Sequence, residues 1–486
     1  MRSPWTTRRR KNDDMSGNSP FRVLSAVVIG TTTEYYDFFI YGTAAALVFG
    51  RTFFPHLTPV GGLLAAFSVY AVGFIGRPTG AAFFGRLGDR LGRKPVLIFA
   101  LLLMGLSTAA VGLLPGYADW GAWSPVALTC LRFLQGVGLG GEFGGASLFA
   151  TEHAPPGRRG RYGAFIHLGP CLGFALATGF FLVLSAKLPP ADFEAWGWRL
   201  PFLASTGLVA FGLVARIRVQ ESPAFLALAA AADAAATAPP AAVSTTVEGT
   251  VAVSVEATAG NDVEAGAGRA AEVGPLSTVL RVHTRPLLLG AGTVMAGSMF
   301  FYTTTTWALS HATRDLHIPS TRMLVLLLIA NFVLGGASFV GALLSDRHGR
   351  RRVIRWGVVA ALAWSPLLIP LLDTGSSPLM LLGLVGAMAS LGLLLGPAPA
   401  FLPELFPAAV RCSGASLTYN LGSLVGGAVA PLLATRLTAS FGSFAVSWYL
   451  AAMCCVSLLC LRALAINSVP DGLLGAAPDA ISYSGR

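Results

Sequence analysis

The chain has 486 residues, 54% of them hydrophobic and only 12% charged, with a mean hydropathy of +0.66. Soluble domains carry roughly a quarter charged residues, so this balance over this length excludes a solvated enzyme and a disordered protein. The apolar runs are long, unbroken and rich in Ala, Leu and Gly, without the alternation of a barrel strand, and open sheet edges would go unpaired in lipid. The expected fold class is an all-α membrane protein.

The first 20 residues are basic and polar, read as a cytoplasmic tail, with Met15 as an alternative start. The apolar run that follows contains Glu34 and Asp37 and lacks a small-residue cleavage site, so it reads as a retained span and not a signal peptide. A crossing needs about 20 apolar residues. Hydrophobic runs set against turn and charge signals give twelve helices. The first six lie near 22–50, 60–85, 95–115, 124–151, 160–185 and 199–218. The second six lie near 284–310, 322–345, 353–372, 379–400, 409–434 and 440–464. They divide the chain into a six-helix bundle over 21–218, a linker over 219–282, a second bundle over 283–466 and a tail over 467–486. The linker is rich in Ala, Thr, Val and Gly, and is expected to be largely disordered, with a short helix at its start.

With both termini cytoplasmic, the inside segments hold 26 of the 34 Lys and Arg residues. That is the positive-inside bias. It accounts for the net charge of +11 without a nucleic-acid partner. All six cysteines (Cys130, Cys171, Cys412, Cys454, Cys455, Cys460) lie in apolar stretches and read as small buried residues. With no CxxC, HExxH or GxxxxGK[ST] pattern, no metal, cofactor or bound nucleotide is expected.

On the first helix, Gly30, Glu34, Asp37 and Tyr41 fall within about 60° of one another at 100° per residue. A carboxylate at the bilayer centre costs about 2.5–3.5 kcal/mol, a cost reduced by a cavity, a basic partner or a proton. On the fourth helix, Arg132, Gln135 and Glu142 share an arc of about 80°. Arg132 and Glu142 stand roughly 15 Å apart along the axis. Each therefore needs partners from other helices, and Glu34 and Asp37 are candidates. The glycines Gly136, Gly138, Gly140, Gly141, Gly144 and Gly145 suit close helix approach.

Arg77, before Pro78 on the second helix, is a further cation at membrane depth. Arginine keeps its charge, so the proton-coupling candidates are Glu34, Asp37, Glu142 and His167, whose imidazole titrates near neutrality. The substrate-binding candidates are Arg132 and Arg77 for an anionic group, with Tyr41 and Gln135 beside them. Tyr302, Asn331, Tyr419 and Asn420 in the second half line the cavity or bridge helices. Desolvation favours a neutral acid and a nearby cation a charged one. Substrate binding to the arginine thus favours protonation of the acid, a physical basis for symport. The rival reading is a permanent charge network that fixes helix packing. The second half shows almost no buried charge, which places the coupling chemistry in the first.

The loop GRLGDRLGRKPVL after the second span is echoed by ALLSDRHGRRRVI after the eighth. Asp89, Arg90, Arg93 and Lys94 recur as Asp346, Arg347, Arg350 and Arg351, 257 residues later. Two homologous halves place a site near the midplane between them. The aspartates accept charge-assisted hydrogen bonds and cap neighbouring helix N-termini.

These loops resemble the G-x-L-x-D-R-x-G-R-[RK] signature of the major facilitator superfamily. Further segments are similar to its metabolite:proton symporter family: GTTTEYYDFFIYGTAAAL, GFIGRPTGAAFFGRLGDRLGRK, LRFLQGVGLGGEFGGA, WRLPFL with ESPAF, and PELFPAAVRCSGASLTYNLG. The resemblance covers both halves. Tyr35-Tyr36 departs from an aromatic pair that more often contains Trp, and the short C-terminal tail weighs against osmosensing. The resemblance implies two pseudo-symmetric six-helix bundles in the cell (plasma or inner) membrane, and a monomer is the default expectation. It also implies that the two loops are gate latches, and that the cargo is an organic acid or osmoprotectant moved with protons. Ketoglutarate-, citrate-, shikimate- and betaine-type compounds fit. A uniporter or antiporter is the main alternative; a membrane sensor would bring a folded signalling domain, and an enzyme a nucleophile–base or metal constellation.

Overall fold

In the computed structural model the described residues are 20–91, 93–140, 159–217, 275–407 and 410–466, and among them there is no strand. Twelve long helices run through the described residues. The first six are α1 (Pro20–Ala44), α2 (Pro59–Leu91), α3 (Arg93–Leu113), α4 (Trp123–Gly140), α5 (Arg159–Lys187) and α6 (Arg199–Ile217). The second six are α7 (Thr284–Tyr302), α8 (Ser320–His348), α9 (Arg350–Asp373), α10 (Ser377–Leu395), α11 (Arg411–Ser423) and α12 (Ala445–Ile466). Large apolar side chains such as Leu106, Phe211, Trp448 and Leu459 point outward, as lipid contact requires. Eight of the helical segments are long and apolar enough to cross a bilayer, and α6 with the short turn before it adds a bent ninth.

The two halves repeat each other in packing. In the first, α1 packs on α5 and α6, α2 on α4, and α3 on α4 and α6. In the second, α7 packs on α11 and α12, α8 on α10, and α9 on α10 and α12. The halves meet through α5 against α8 and, in the mirrored sense, α11 against α2. The symmetry reaches backbone detail: α1 runs into a π turn at Ala45–Phe49 and α7 into one at Thr303–Trp307, nearly the interval of the loop repeat. α11 has one too, at Leu424–Ala428, before continuing as Val429–Phe441.

Glycine sets the tightest crossing. A Cβ on Gly80 would lie 1.9 Å from the Val137 carbonyl oxygen, one on Gly136 2.1 Å from that of Gly73, and one on Gly140 2.0 Å from that of Arg77. Backbone of α2 therefore touches backbone of α4, an approach open only to small residues. Gly141, Gly144 and Gly145 lie outside the described residues.

Two expectations need adjusting. The last eight linker residues, Pro275–Val282, are helical, and Val279 is buried against Leu287, Phe406 and Val410; residues 218–274 lie outside the described set. The final break falls at Gly442 (φ +84°), several residues beyond the expected 434–440. Thr435 and Thr438 fall in that expected gap, and their hydroxyls donate to Pro431 O (2.7 Å) and Ala434 O (2.8 Å) of their own helix. Such back-bonding lets hydroxyls sit inside an apolar helix.

Candidate functional site

Four ionisable side chains from the first half are buried at membrane depth: Glu34 and Asp37 on α1, Arg77 on α2 and Arg132 on α4, none more than 3% exposed. Phe38, next to Asp37, has both cations over its ring. The Arg77 guanidinium carbon is 4.1 Å from the Phe38 centroid and that of Arg132 is 4.4 Å away. Arg77 also lies over Phe74 (4.7 Å), and Arg132 over Tyr41 (4.2 Å) and Tyr70 (4.7 Å). Tyr302 of α7 closes this aromatic group from the other half, its ring 5.2 Å from Phe74 and 6.1 Å from Phe38, with its hydroxyl beside Arg77. Gly73 makes room for Arg132, since a Cβ there would come within 2.6 Å of Nε.

Hydrogen bonds then run from Arg132 to the acid without a direct ion pair. Arg132 Nη1 donates to Gln135 Oε1. Gln135 Nε2 donates to the Asp37 carbonyl (3.0 Å) and to Thr108 Oγ1 (2.8 Å). Thr108 Oγ1 is 2.9 Å from Met104 O and 3.1 Å from Asp37 Oδ2. Its one proton serves one of those acceptors at a time. With Asp37 protonated, Asp37 donates to Thr108 while Thr108 donates to Met104; with Asp37 ionised, one acceptor goes without. Thr108 therefore registers the protonation state of Asp37. Asp37 Oδ1 has no hydrogen-bond partner, and neither do Nε and Nη2 of Arg77 and of Arg132. Buried polar groups are nearly always satisfied, so each exception needs a reason.

Of the two candidate acids on α1, Asp37 is joined to Arg132 through Gln135, which stands between them. The structure brings together Asp37, Tyr41, Arg77, Arg132, Gln135 and Tyr302. Tyr419 of α11 joins from the far side, its hydroxyl 3.4 Å from that of Tyr35. Other candidates are engaged elsewhere. His167 Nε2 meets Leu395 O at 2.8 Å, joining α5 to α10. Asn331 Nδ2 donates to Cys171 O at 2.9 Å, tying α8 to α5. Both are contacts between the halves. Asn420 is buried, with Nδ2 unpartnered. Glu142 lies outside the described residues, as do the side chains of Asp89, Arg90, Arg93 and Lys94.

In the second loop, Asp346 and Arg347 are exposed near the end of α8, and Arg351 is half-buried. Arg350 forms an ion pair with Glu404 and donates to Ala400 O at 3.1 Å. This contact ties the α8–α9 turn to the end of α10, inside one half. Sequence reasoning missed Glu404 although it sits in the PELFP segment.

It also missed a cluster at the opposite end of the second half. His311, 4% exposed, stacks on Trp307 at 4.7 Å. Its Nδ1 meets Asp315 Oδ2 and its Nε2 meets Asp373 Oδ1, both at 2.8 Å. A neutral imidazole has one N–H, so two carboxylates at this distance hold the doubly protonated ring. Ser443 donates to Asp373, and Arg314 to both oxygens of Asp315. Burial alone would push the Asp315 carboxyl up; hydrogen bonds from His311 and Arg314 overcome it and hold the group down at about 2. The i, i+4 spacing of His311 and Asp315 was the visible signal. Nearby, Arg314, Arg51 and Glu194 line a cavity of about 550 Å³ between the halves.

Residues 23–466 match the model of the sugar (and other) transporter family. The chain is 38% identical to the inner membrane metabolite transport protein YhjE of Escherichia coli K12, over 95% of this chain and 98% of that one. It is 32% identical to the shikimate transporter of the same organism, over 88% and 91%. Among solved structures, the proton:xylose symporter XylE of E. coli superposes with a TM-score of 0.69 at 16% identity, over 92% and 95%. Twelve helices in two mirrored bundles, a chain-long family match and relatives that move metabolites agree: this chain belongs to the major facilitator superfamily, among its metabolite transporters, and is not an enzyme.

Proposed function

We propose that the protein is a proton-coupled symporter of a small organic anion or zwitterion, working by alternating access from the inner membrane with both termini cytoplasmic. The observation that carries this reading is the pair of buried guanidinium groups whose Nε and Nη2 donors lack acceptors, with Arg132 linked through Gln135 to Asp37. An arginine edge left unpaired in a dry interior awaits an anion. A negative charge arriving there is balanced when Asp37 takes up a proton, so cargo and proton travel together. Asp37 is the proposed carrier, with Glu34 and Glu142 as further coupling acids. Tyr41, Gln135, Tyr302, Tyr419 and Asn420 shape the binding volume. His167 and Asn331 sit on contacts between the halves that must part when the protein changes facing state. The Asp89 and Asp346 loops are the proposed cytoplasmic latches, and the protein is proposed to act as a monomer.

Purified protein in proteoliposomes, given an imposed pH gradient and a panel of ketoglutarate, citrate, shikimate and glycine betaine, tests this. Accumulation of one compound that collapses with the gradient is the expected result. Equilibration without accumulation would make the protein a uniporter, and counterflow dependent on a second solute an antiporter.

A further inference from the structure

We propose that one face of α5 carries two alternating catches: His167 holds the halves together at one end, and Ser185 holds them together at the other once His167 lets go. This rests on the alternating-access reading and names the contacts that set its two states.

The first catch answers a missing donor. In a continuing helix the Leu395 carbonyl would accept from the N–H four residues on, but that residue is Pro399, which has none. The chain turns at Gly396 and Pro397 and resumes as the short helix Ala398–Phe401, which packs on α5. His167 of the other half fills the vacancy at 2.8 Å. A carbonyl only accepts, so the imidazole donates from Nε2. The receiving segment is held from its own half, since Arg350 donates to Ala400 O and pairs with Glu404. The second-half loop therefore acts on the first half through this segment. One turn along α5, Cys171 O accepts from Asn331 Nδ2 at 2.9 Å and continues the seam.

The second catch is open. Ser185 lies 18 residues beyond His167, five whole turns and about 27 Å along the helix, on the same face. There the halves stand apart around the cavity of about 550 Å³, which Ser185 lines. Its buried hydroxyl oxygen has no hydrogen-bond partner. Ser310 and Thr313 of the other half line the same cavity. Their hydroxyls donate to Trp307 O and Leu309 O, both at 2.8 Å, which leaves each oxygen able to accept. This face of α5 is bonded where the halves touch and unbonded where they part. A buried hydroxyl without a partner needs a reason. A rim that arrives when the cavity closes supplies one.

Distances between spin labels on Ala191→Cys and Thr374→Cys test this, in protein whose six native cysteines are replaced by alanine. Both positions are exposed, at the cavity end of each half. The two facing states should appear as a long and a short distance. His167→Leu should raise the ratio of short to long by about three- to tenfold, the worth of one hydrogen bond. His167→Gln, which keeps an N–H donor, should restore the starting ratio. Adding Ser185→Ala to His167→Leu should return the ratio toward that of the unaltered catches. An unchanged ratio in His167→Leu, or no return in the double variant, would overturn the inference. So would a lower melting temperature with the ratio unmoved. Where His167→Leu does not fold, Ser185→Ala alone decides, since it should deplete the short distance. A single distance with both catches intact would sink alternating access and this inference together. Two distances that none of these variants shifts would sink the catches alone, and loss of gradient-driven accumulation in proteoliposomes would leave them standing.

Discussion

The two halves hold their buried charge in opposite ways. In the second half, His311 sits between Asp315 and Asp373, and those acids are met in turn by Arg314 and Ser443. In the first half, Arg77 and Arg132 lie over aromatic rings with Nε and Nη2 of each unmet, and Asp37 has one oxygen without a partner. Breaking a satisfied buried pair is costly because it strands the remaining charge, whereas an unsatisfied charge is already a burden on the fold. On the proposed function, the satisfied charge of the second half is structural and the unsatisfied charge of the first is where a ligand and a proton complete the set.

The sharpest way to break this comparison is Arg132→Met. Loss of a buried hydrogen-bonded charge at a binding site costs about 2–5 kcal/mol, and 1.4 kcal/mol is tenfold. Uptake should fall on the order of a hundredfold or more, while the melting temperature in detergent stays level or rises. A fall in melting temperature with uptake intact would place Arg132 among the structural charges. His311→Ala should do the opposite. It leaves Asp315 and Asp373 without their shared cation, a loss of about 3–5 kcal/mol visible as a lower melting temperature, with transport per folded molecule nearly unchanged.

Asp37→Asn has a subtler expected effect. Asparagine fills the same space and hydrogen-bonds Thr108 but carries no titratable proton, so accumulation against a gradient should disappear while exchange of preloaded substrate persists. Unimpaired accumulation would move the proton to another acid. The smallest effect is in acid. In the folded protein the Asp315 carboxyl is held down to about 2, below the usual aspartate value of 3.8. Its contribution to stability is therefore complete above about pH 4 and is lost as the pH falls toward 2. Melting temperatures between pH 5 and pH 2 should show a modest decline that Asp315→Asn flattens.

The twelve spans were legible because hydropathy is local and adds along the chain, and a buried acid or arginine stands out against it. Glu34, Asp37, Arg77 and Arg132 were found for that reason. What those groups touch was not legible. Phe38 is one more apolar residue in an apolar helix, and only the rotation of α1 relative to α2 and α4 brings its ring under two guanidinium groups. Gln135 was read as a substrate contact, yet it carries the link from Arg132 to Asp37, which depends on α1, α3 and α4 meeting. His311 escaped notice because one of its two acids, Asp373, is far away in sequence and arrives at the end of a different helix. Arg350 and Glu404 are separated in the same way.

The glycine contact between α2 and α4 has a consequence for how the cargo is measured. Arg77 and Arg132 ride on two rods fused backbone to backbone at Gly73, Gly80, Gly136 and Gly140, while Tyr302 belongs to the other half. Under the proposed alternating access, the tyrosine would travel while the arginines keep their spacing. On that reading the two arginines form a ruler of constant length, and compounds competing from either side of the bilayer should rank in the same order.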